Sequence, residues 1–437
     1  MIPRLLAALL AISGAQAALF DFPTKNRALL DGRPEDFYMY VERDFEGATT
    51  YPWEGGQFGF VRRPQRTPQG VDFARFHEGV DIQPLLRDPA GNPLDDVLAS
   101  AAGRVVHVSK EARASNYGRY IVVEHRVEGC PIYTLYAHLA STAVEPGQEV
   151  RQGEALGRLG FSGAGIDRTR AHLHFEIGIL LSGNFEAWYA ARSAGDPNKH
   201  GLYNGMNLSG TDPAPILLAA AKDPGFQITK HLAGLEPVFK ITFPNSPDLT
   251  LLRNSPWLVP SGEIANPPAW TISFTGTGFP VRAAASQKPV TAPELAWVKD
   301  SPAAYTRATR GLVGGPAGSP RLTESGKRFV ELLTCPPGAE TPASAEEAGP
   351  LTFVKVGFPM GCMRFAWSER NFATHVGNVR LRFTINRVIH ETLVQAFPVE
   401  RGVESQNFPP PFAFTLGDVG YSPHKSRKVP DPRIGVA

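Results

Sequence analysis

His77-Glu78-Gly79-Val80-Asp81 and, far downstream, His172-Leu173-His174 are the residues of this chain whose types and spacing can do chemistry. An H-x-x-x-D and an H-x-H supply two histidines and one carboxylate able to close on a single divalent cation, with a histidine to spare. Nitrogen donors with one carboxylate oxygen suit zinc, and three protein donors leave a fourth position open for a reactive water. Residues two apart on a strand share a face, so His172 and His174 can enter one groove side by side. His77 and Asp81 are four apart, which shares a face on a strand or a helix turn, and Gly79 between them favours an extended or irregular path. Any one histidine alone would read as a packed or surface imidazole; the two motifs in this order read as a metal site. Between them, Leu135-Tyr136-Ala137-His138-Leu139 puts His138 at the end of an expected strand, where it can project into the same groove. With His172 it can flank the open position, one imidazole taking a proton from water and the other stabilising charge on a substrate carbonyl oxygen.

The elements that must position these residues are short strands. Ala102–Val108, Tyr120–Glu124, Tyr133–His138, Ala155–Leu159 and His172–Ile177 alternate with Gly, Asn and Pro turns, which predicts an antiparallel sheet with one face lining a groove. Residues 18–66 carry scattered aromatics without helical periodicity and read as an extended lead-in that packs on the next domain. Ile179–Ser209 interrupts the sheet text with a short helix near 184–192 and a Gly/Asn/Pro-rich loop. It is expected to wall the groove, with Trp188 and Tyr189 as candidate substrate contacts or, equally, packing aromatics. Asp212-Pro213 starts a helix that closes the domain near residue 222.

Composition excludes several classes. The 437 residues are ordinary in hydrophobic (42%) and charged (20%) content, while 40 prolines and 43 glycines favour β structure and turns. A net charge of +2 without a dense basic stripe argues against a nucleic-acid partner. Residues 1–17, with Arg4, an apolar run and Ala15-Gln16-Ala17, read as a removed secretory signal, and no later run is long enough to span a membrane. The V-x-x-G-x-x-V-x-x-G stretch from Val144 to Gly153 is similar to biotinyl and lipoyl carrier hairpins, but residues 139–166 lack the lysine such carriers modify. Of the three cysteines, Cys335 and Cys362 can pair, and Cys130 reads as a buried thiol. An H-E-x-x-H mechanism fails because position 81 is Asp, so Glu78 reads as a supporting or surface carboxylate; His107 and His125 read as structural.

Taken together, F-H-E-G-V-D, S-N-Y-G-R-Y-I-V-V-E-H, Y-T-L-Y-A-H-L, the Val144–Gly153 meander and A-H-L-H-F-E resemble the LytM/lysostaphin-type zinc metallopeptidases from about Phe76 to Ile216. The resemblance implies one zinc per chain held by His77, Asp81 and His174, with His138 and His172 as the catalytic histidines. It implies a mainly β fold for that part, an antiparallel-sheet, lysostaphin-like peptidase domain placed at 67–222; beyond it, strand-like runs read as a C-terminal β-rich (α+β) domain at 223–421, and the Pro- and Lys/Arg-containing end reads as a disordered tail at 422–437. It also implies a secreted, periplasmic or cell-wall-associated endopeptidase acting on peptidoglycan stem or cross-bridge peptides. The alternatives are a non-catalytic regulator of cell-wall hydrolases and a peptidase of secreted proteins. Two departures flank the groove: a long turn from Ser162 to Ala171 before the H-x-H, and the 179–209 insertion. Residues 223–437 carry no motif with chemistry; strand-like runs there, Phe226–Thr229 among them, alternate with Pro/Ala/Gly-rich connections, and one amphipathic helix is expected at Thr323–Thr334.

Overall fold

The computed structural model describes residues 18–335 except Gln69, residues 194–196, Pro247, Asp248, Ala265, Pro302, Ala303 and Ala317. Beyond them it describes the strands Leu351–Phe358, Gly361–Ser368, Gly377–Ile385, Val388–Ala396 and Arg427–Pro430. The expected signal segment 1–17 lies outside the described residues, as does the Cys362 side chain, and with it the Cys335–Cys362 pairing.

A seven-stranded antiparallel sheet organises the chain. Its order is Glu149–Val150, Gly103–Ser109, Tyr120–Val127, Cys130–Ala137, Leu173–Leu180 and Leu208–Thr211, with Val80–Ile82 pairing the first residues of the Leu173 strand. Apolar alternation sets its two faces. Ile121, Val123, Ile132, Tyr136, Leu173, Phe175 and Ile177 enter the main core. Tyr120, Val122, Tyr133, Leu135, Ala137 and Leu180 face the other way, into a smaller cluster closed by Tyr117, Leu202 and Tyr203. The antiparallel, mainly β architecture read from the strand pattern is the one found.

The lead-in is part of the core. Phe20, Phe22 and Phe37 are fully buried in it, and the strands Gly59–Thr67 and Gly70–His77 form a hairpin that delivers the first histidine. The expected boundary at residue 67 therefore falls in the turn of a continuous hairpin. The helix Phe185–Arg192 forms as expected, but Phe185 and Trp188 are buried in the main core with Tyr189 packed against it. They are packing aromatics rather than groove contacts; the part of the insertion that reaches the groove face of the sheet is the loop bearing Leu202 and Tyr203. The helix Pro213–Lys222 starts on Asp212, whose carboxylate accepts the Ala214 amide at 3.0 Å.

Residue 223 is not a boundary in the packing. The chain divides into Met1–Ala339 and Glu340–Ala437, and Phe239, Ile241, Phe243, Ile272, Phe274, Val330 and Leu333 share one continuous core with the central sheet. This segment forms a four-stranded sheet in the order Pro280–Ser286, Ala269–Phe274, Phe239–Pro244, Glu294–Val298. The stretch Phe226–Thr229, expected as a strand, instead leads into the helix Ile228–Ala233. The helix expected at Thr323–Thr334 runs from Glu324 to Leu333, with the Thr323 hydroxyl accepting the Gly326 amide at 3.0 Å. In the C-terminal unit, antiparallel pairs join Leu351–Phe358 to Gly361–Ser368 and Gly377–Ile385 to Val388–Ala396. Arg427–Pro430, inside the tail expected to be disordered, pairs with Val388–Ala396.

Candidate metal centre

Strand register brings the two motifs together. His174 lies directly opposite Asp81 on one side and Ala137 on the other, and His138 follows Ala137. His77 ends the leading hairpin, and the bend at Glu78-Gly79 turns the chain so that Asp81 enters the sheet beside it. Glycine is required at 79, because a Cβ there would come within 2.4 Å of the Phe175 carbonyl oxygen. His138 leaves its strand with a left-handed backbone, φ 65°, and its amide donates to the Tyr117 carbonyl at 2.9 Å. Such a backbone costs a non-glycine residue of order 1–3 kcal/mol and is held here by the surrounding sheet.

Three donor atoms converge. His77 Nε2, Asp81 Oδ1 and His174 Nδ1 are each 3.0 Å from the other two, and all three residues are buried. Tetrahedral donors bound 2.0–2.1 Å from one zinc sit about 3.3 Å apart, so the group fits such an ion without rearrangement. The remaining ring nitrogens are tied back to acceptors. His77 Nδ1 bonds the Gln57 carbonyl at 2.7 Å, and His174 Nε2 bonds Glu176 Oε1 at 2.8 Å. These bonds place the ring protons outside and leave the inner nitrogens as lone-pair donors. The Tyr117 hydroxyl donates to the same Glu176 oxygen at 2.7 Å.

The other two histidines stand beside this group. His138 Nδ1 bonds the Ser162 carbonyl at 3.0 Å, and His172 Nδ1 bonds the Arg170 carbonyl at 2.5 Å. Their ring centroids are 4.9 Å apart, and His172 Nε2 is 3.4 Å from Asp81 Oδ1. All five residues singled out in the sequence therefore meet in one buried cluster. Burial alone would raise the Asp81 carboxyl, but His172, His77 and Arg62 outweigh it and hold it well below the usual range. Burial pushes the His77 imidazole down, and it pushes His138 well down with help from His172 and His174. His174 goes the other way, up to about 9: burial opposes this, but Asp81 and Glu176 on its two nitrogens prevail. Those two carboxylates favour positive charge at the His174 ring, and a cation at the junction would take the place of the Nδ1 proton.

Several supporting residues escaped the sequence reading. Glu176 is the third member of an alternating H-x-H-x-E on one strand face, so its role was readable from the period of two. Gln57 and Ser162 act through backbone carbonyls, for which side-chain type gives no signal. Arg62 ion-pairs with Asp81 Oδ2 from the hairpin. Glu78 ion-pairs with Arg310 at 2.9 Å on the surface. His125 is a buried structural residue bonded to the Ala102 carbonyl and the Thr134 hydroxyl. His107 stacks on Tyr120. Cys130 is buried, and burial with the Glu128 charge pushes its thiol up, away from a nucleophilic role.

Comparison with known proteins matches this region. Residues 75–184 match the model of peptidase family M23. The cell division protein DipM of Caulobacter vibrioides is 38% identical over 158 residues, covering 36% of this chain and 22% of DipM. The murein hydrolase activator NlpD of Escherichia coli is 32% identical over 101 residues, covering 23% of this chain and 22% of NlpD. The matches thus span about a fifth of these relatives' lengths. Among solved structures, the catalytic domain of the antimicrobial peptidase lysostaphin from Staphylococcus simulans aligns over 44% of this chain and 97% of its own, at 19% identity and a TM-score of 0.23. Among the described residues no helix is long and apolar enough to cross a membrane. The segment 75–184, which holds the whole histidine and aspartate cluster, is a domain of peptidase family M23.

Proposed function

We propose that this chain is a secreted zinc metalloendopeptidase of the cell envelope that hydrolyses peptide bonds in peptidoglycan stem or cross-bridge peptides. The observation that carries the reading is the convergence of His77, Asp81 and His174 donor atoms at 3.0 Å beside two further histidines with outward-tied Nδ1 atoms. His77 Nε2, Asp81 Oδ1 and His174 Nδ1 would hold one zinc ion. When bound, zinc supplies a Lewis acid that lowers the pKa of a water from 15.7 to roughly 7 and polarises a carbonyl.

The chain's own residues then handle the protons. Burial keeps His138 neutral, and its Nδ1–H is fixed on the Ser162 carbonyl, so Nε2 can take the proton of the attacking water. His172 Nδ1 is held by the Arg170 carbonyl, and its Nε2 lies 3.4 Å from Asp81 Oδ1, an acceptor that would orient an Nε2–H. That Nε2–H can donate to the oxygen that gains charge as the carbonyl carbon becomes tetrahedral. The proton held at His138 Nε2 passes to the leaving amine as the C–N bond breaks.

A second reading, a non-catalytic activator of wall hydrolases, is favoured by the similarity to NlpD. It is weakened by the presence of all five residues. Digesting purified sacculi with the protein and identifying new peptide termini by mass spectrometry separates the readings. New termini that vanish with chelator support the peptidase; intact sacculi with zinc present sink it.

A further inference from the structure

Five arginines, Arg43, Arg62, Arg63, Arg75 and Arg170, line a cleft of about 270 Å³. Two of these connect it to the site: Arg62 ion-pairs with Asp81, and the Arg170 carbonyl holds His172 Nδ1 at 2.5 Å. The geometry points to an anionic subsite: this cleft binds a carboxylate of the peptide substrate next to the bond that is cut. The inference rests on the peptidase reading, whose substrate class it narrows to acidic peptides.

Charge placement carries the argument. Arg62 and Arg75 face each other across the hairpin ladder, a like-charge pairing that destabilises a sheet unless an anion relieves it. Arg62 has its anion in Asp81, whereas Arg43, Arg63 and Arg75 have no carboxylate partner among the described residues. Two acids, Glu42 and Asp44, also line the cleft, so five guanidinium groups stand against two carboxylates there; Asp44 accepts the Thr49 hydroxyl at 2.6 Å. Arg43 donates from Nη2 to the Val61 carbonyl at 3.1 Å and lies over the Phe73 ring, yet its Nε is buried with no hydrogen-bond partner. Arg63 is held at φ 56° beside a bulge in the ladder, a strained backbone of the kind found where a side chain is aimed for function. With Arg62 taken up by Asp81 and Arg170 Nε donating to the Tyr40 carbonyl, it is Arg63 and Arg75 that are left without a carboxylate, and their forked guanidinium groups suit bidentate capture of a planar one.

The test uses the full chain carrying His138→Ala, so that binding is read without turnover. Three N-acetylated tetrapeptides are titrated by calorimetry: a glutamate-containing amide, its glutamine counterpart with a free C-terminal carboxylate, and the neutral glutamine amide. At least one acid should bind about ten-fold more tightly than the neutral peptide, and which one does distinguishes a side-chain from a C-terminal carboxylate. Arg63→Gln and Arg75→Gln, both at exposed positions, should each remove most of that preference. Equal affinity for all three peptides, unchanged preference in both arginine variants, or equally tight binding of inorganic phosphate would overturn the subsite. Zinc content and cleavage by the unaltered chain are measured separately. Zinc and cleavage without carboxylate preference defeat only the subsite; preference without zinc or cleavage defeats only the peptidase reading.

Discussion

His174 has a carboxylate on each ring nitrogen, Asp81 at 3.0 Å and Glu176 at 2.8 Å, and this makes the roles of individual residues separable. Changing His77, Asp81 or His174 to Ala removes a donor atom from the centre, so each variant should purify with little zinc. Changing His138 or His172 to Ala leaves the donors in place, so zinc should stay near one per chain while turnover falls by roughly 10²–10⁴. Elemental analysis beside a peptidase assay reads both halves; if His172→Ala loses metal and His174→Ala keeps it, the roles within the H-x-H are reversed. Glu176→Gln tests the outer carboxylate. It keeps the size of the side chain but weakens the bond that fixes the His174 tautomer, and should lower zinc affinity by about 10–100-fold. Unchanged affinity in a zinc-chelator competition would show that Glu176 is packing only. The five clustered residues were legible because few residue types can serve as metal donors or proton carriers and strand geometry restricts their spacing. The Arg62 contact was not legible, since nothing local in the hairpin sequence tells which carboxylate lies across the bend.

At the scale of elements, strands dense in apolar and β-branched residues were readable, as for Tyr120–Val127 and Leu173–Leu180, because burial on both faces calls for a short, near-continuous apolar run. Phe226–Thr229 misled: its β-branched and aromatic content favours a strand, but Ile228 and Leu232, one helical turn apart, bury together. The strand Tyr120–Val127 also carries a pH-dependent term. Burial pushes His125 down to about 4, opposed by its bond to Ala102. The unfolded chain binds that proton near pH 6.5 and the folded chain only near 4. Its contribution is therefore fully present above pH 6.5 and lost as the pH falls from there towards 4. Between pH 7.5 and 5 the unfolding free energy should drop by about 2 kcal/mol through His125. Urea titrations at the two pH values check this, and an equal drop in His125→Gln would assign the loss to other groups.

For the whole molecule, the packing rather than the motif text decides what folds together. A sequence reader places a boundary at Asp223 because recognisable chemistry stops there. Core membership depends on which distant apolar residues meet, and Phe239, Phe243 and Phe274 look locally like those of any β domain. In the structure they complete the core that also contains Phe175 and Phe185, and Arg192 ion-pairs with Glu331 across the same junction. Ending the chain at residue 222 would strip these partners away. Each large apolar side chain uncovered costs about 1.5–3 kcal/mol, so a few of them consume the 5–15 kcal/mol by which a typical protein is folded. A chain ended after Ala339, where the compact unit stops, keeps every one of these contacts. The longer truncation should therefore melt cooperatively near the full-length temperature and retain zinc, while the shorter one should aggregate or melt far lower. A 222-residue product that melts as high as the 339-residue one would mean that the second half of this unit is only attached to the first and does not help hold it together.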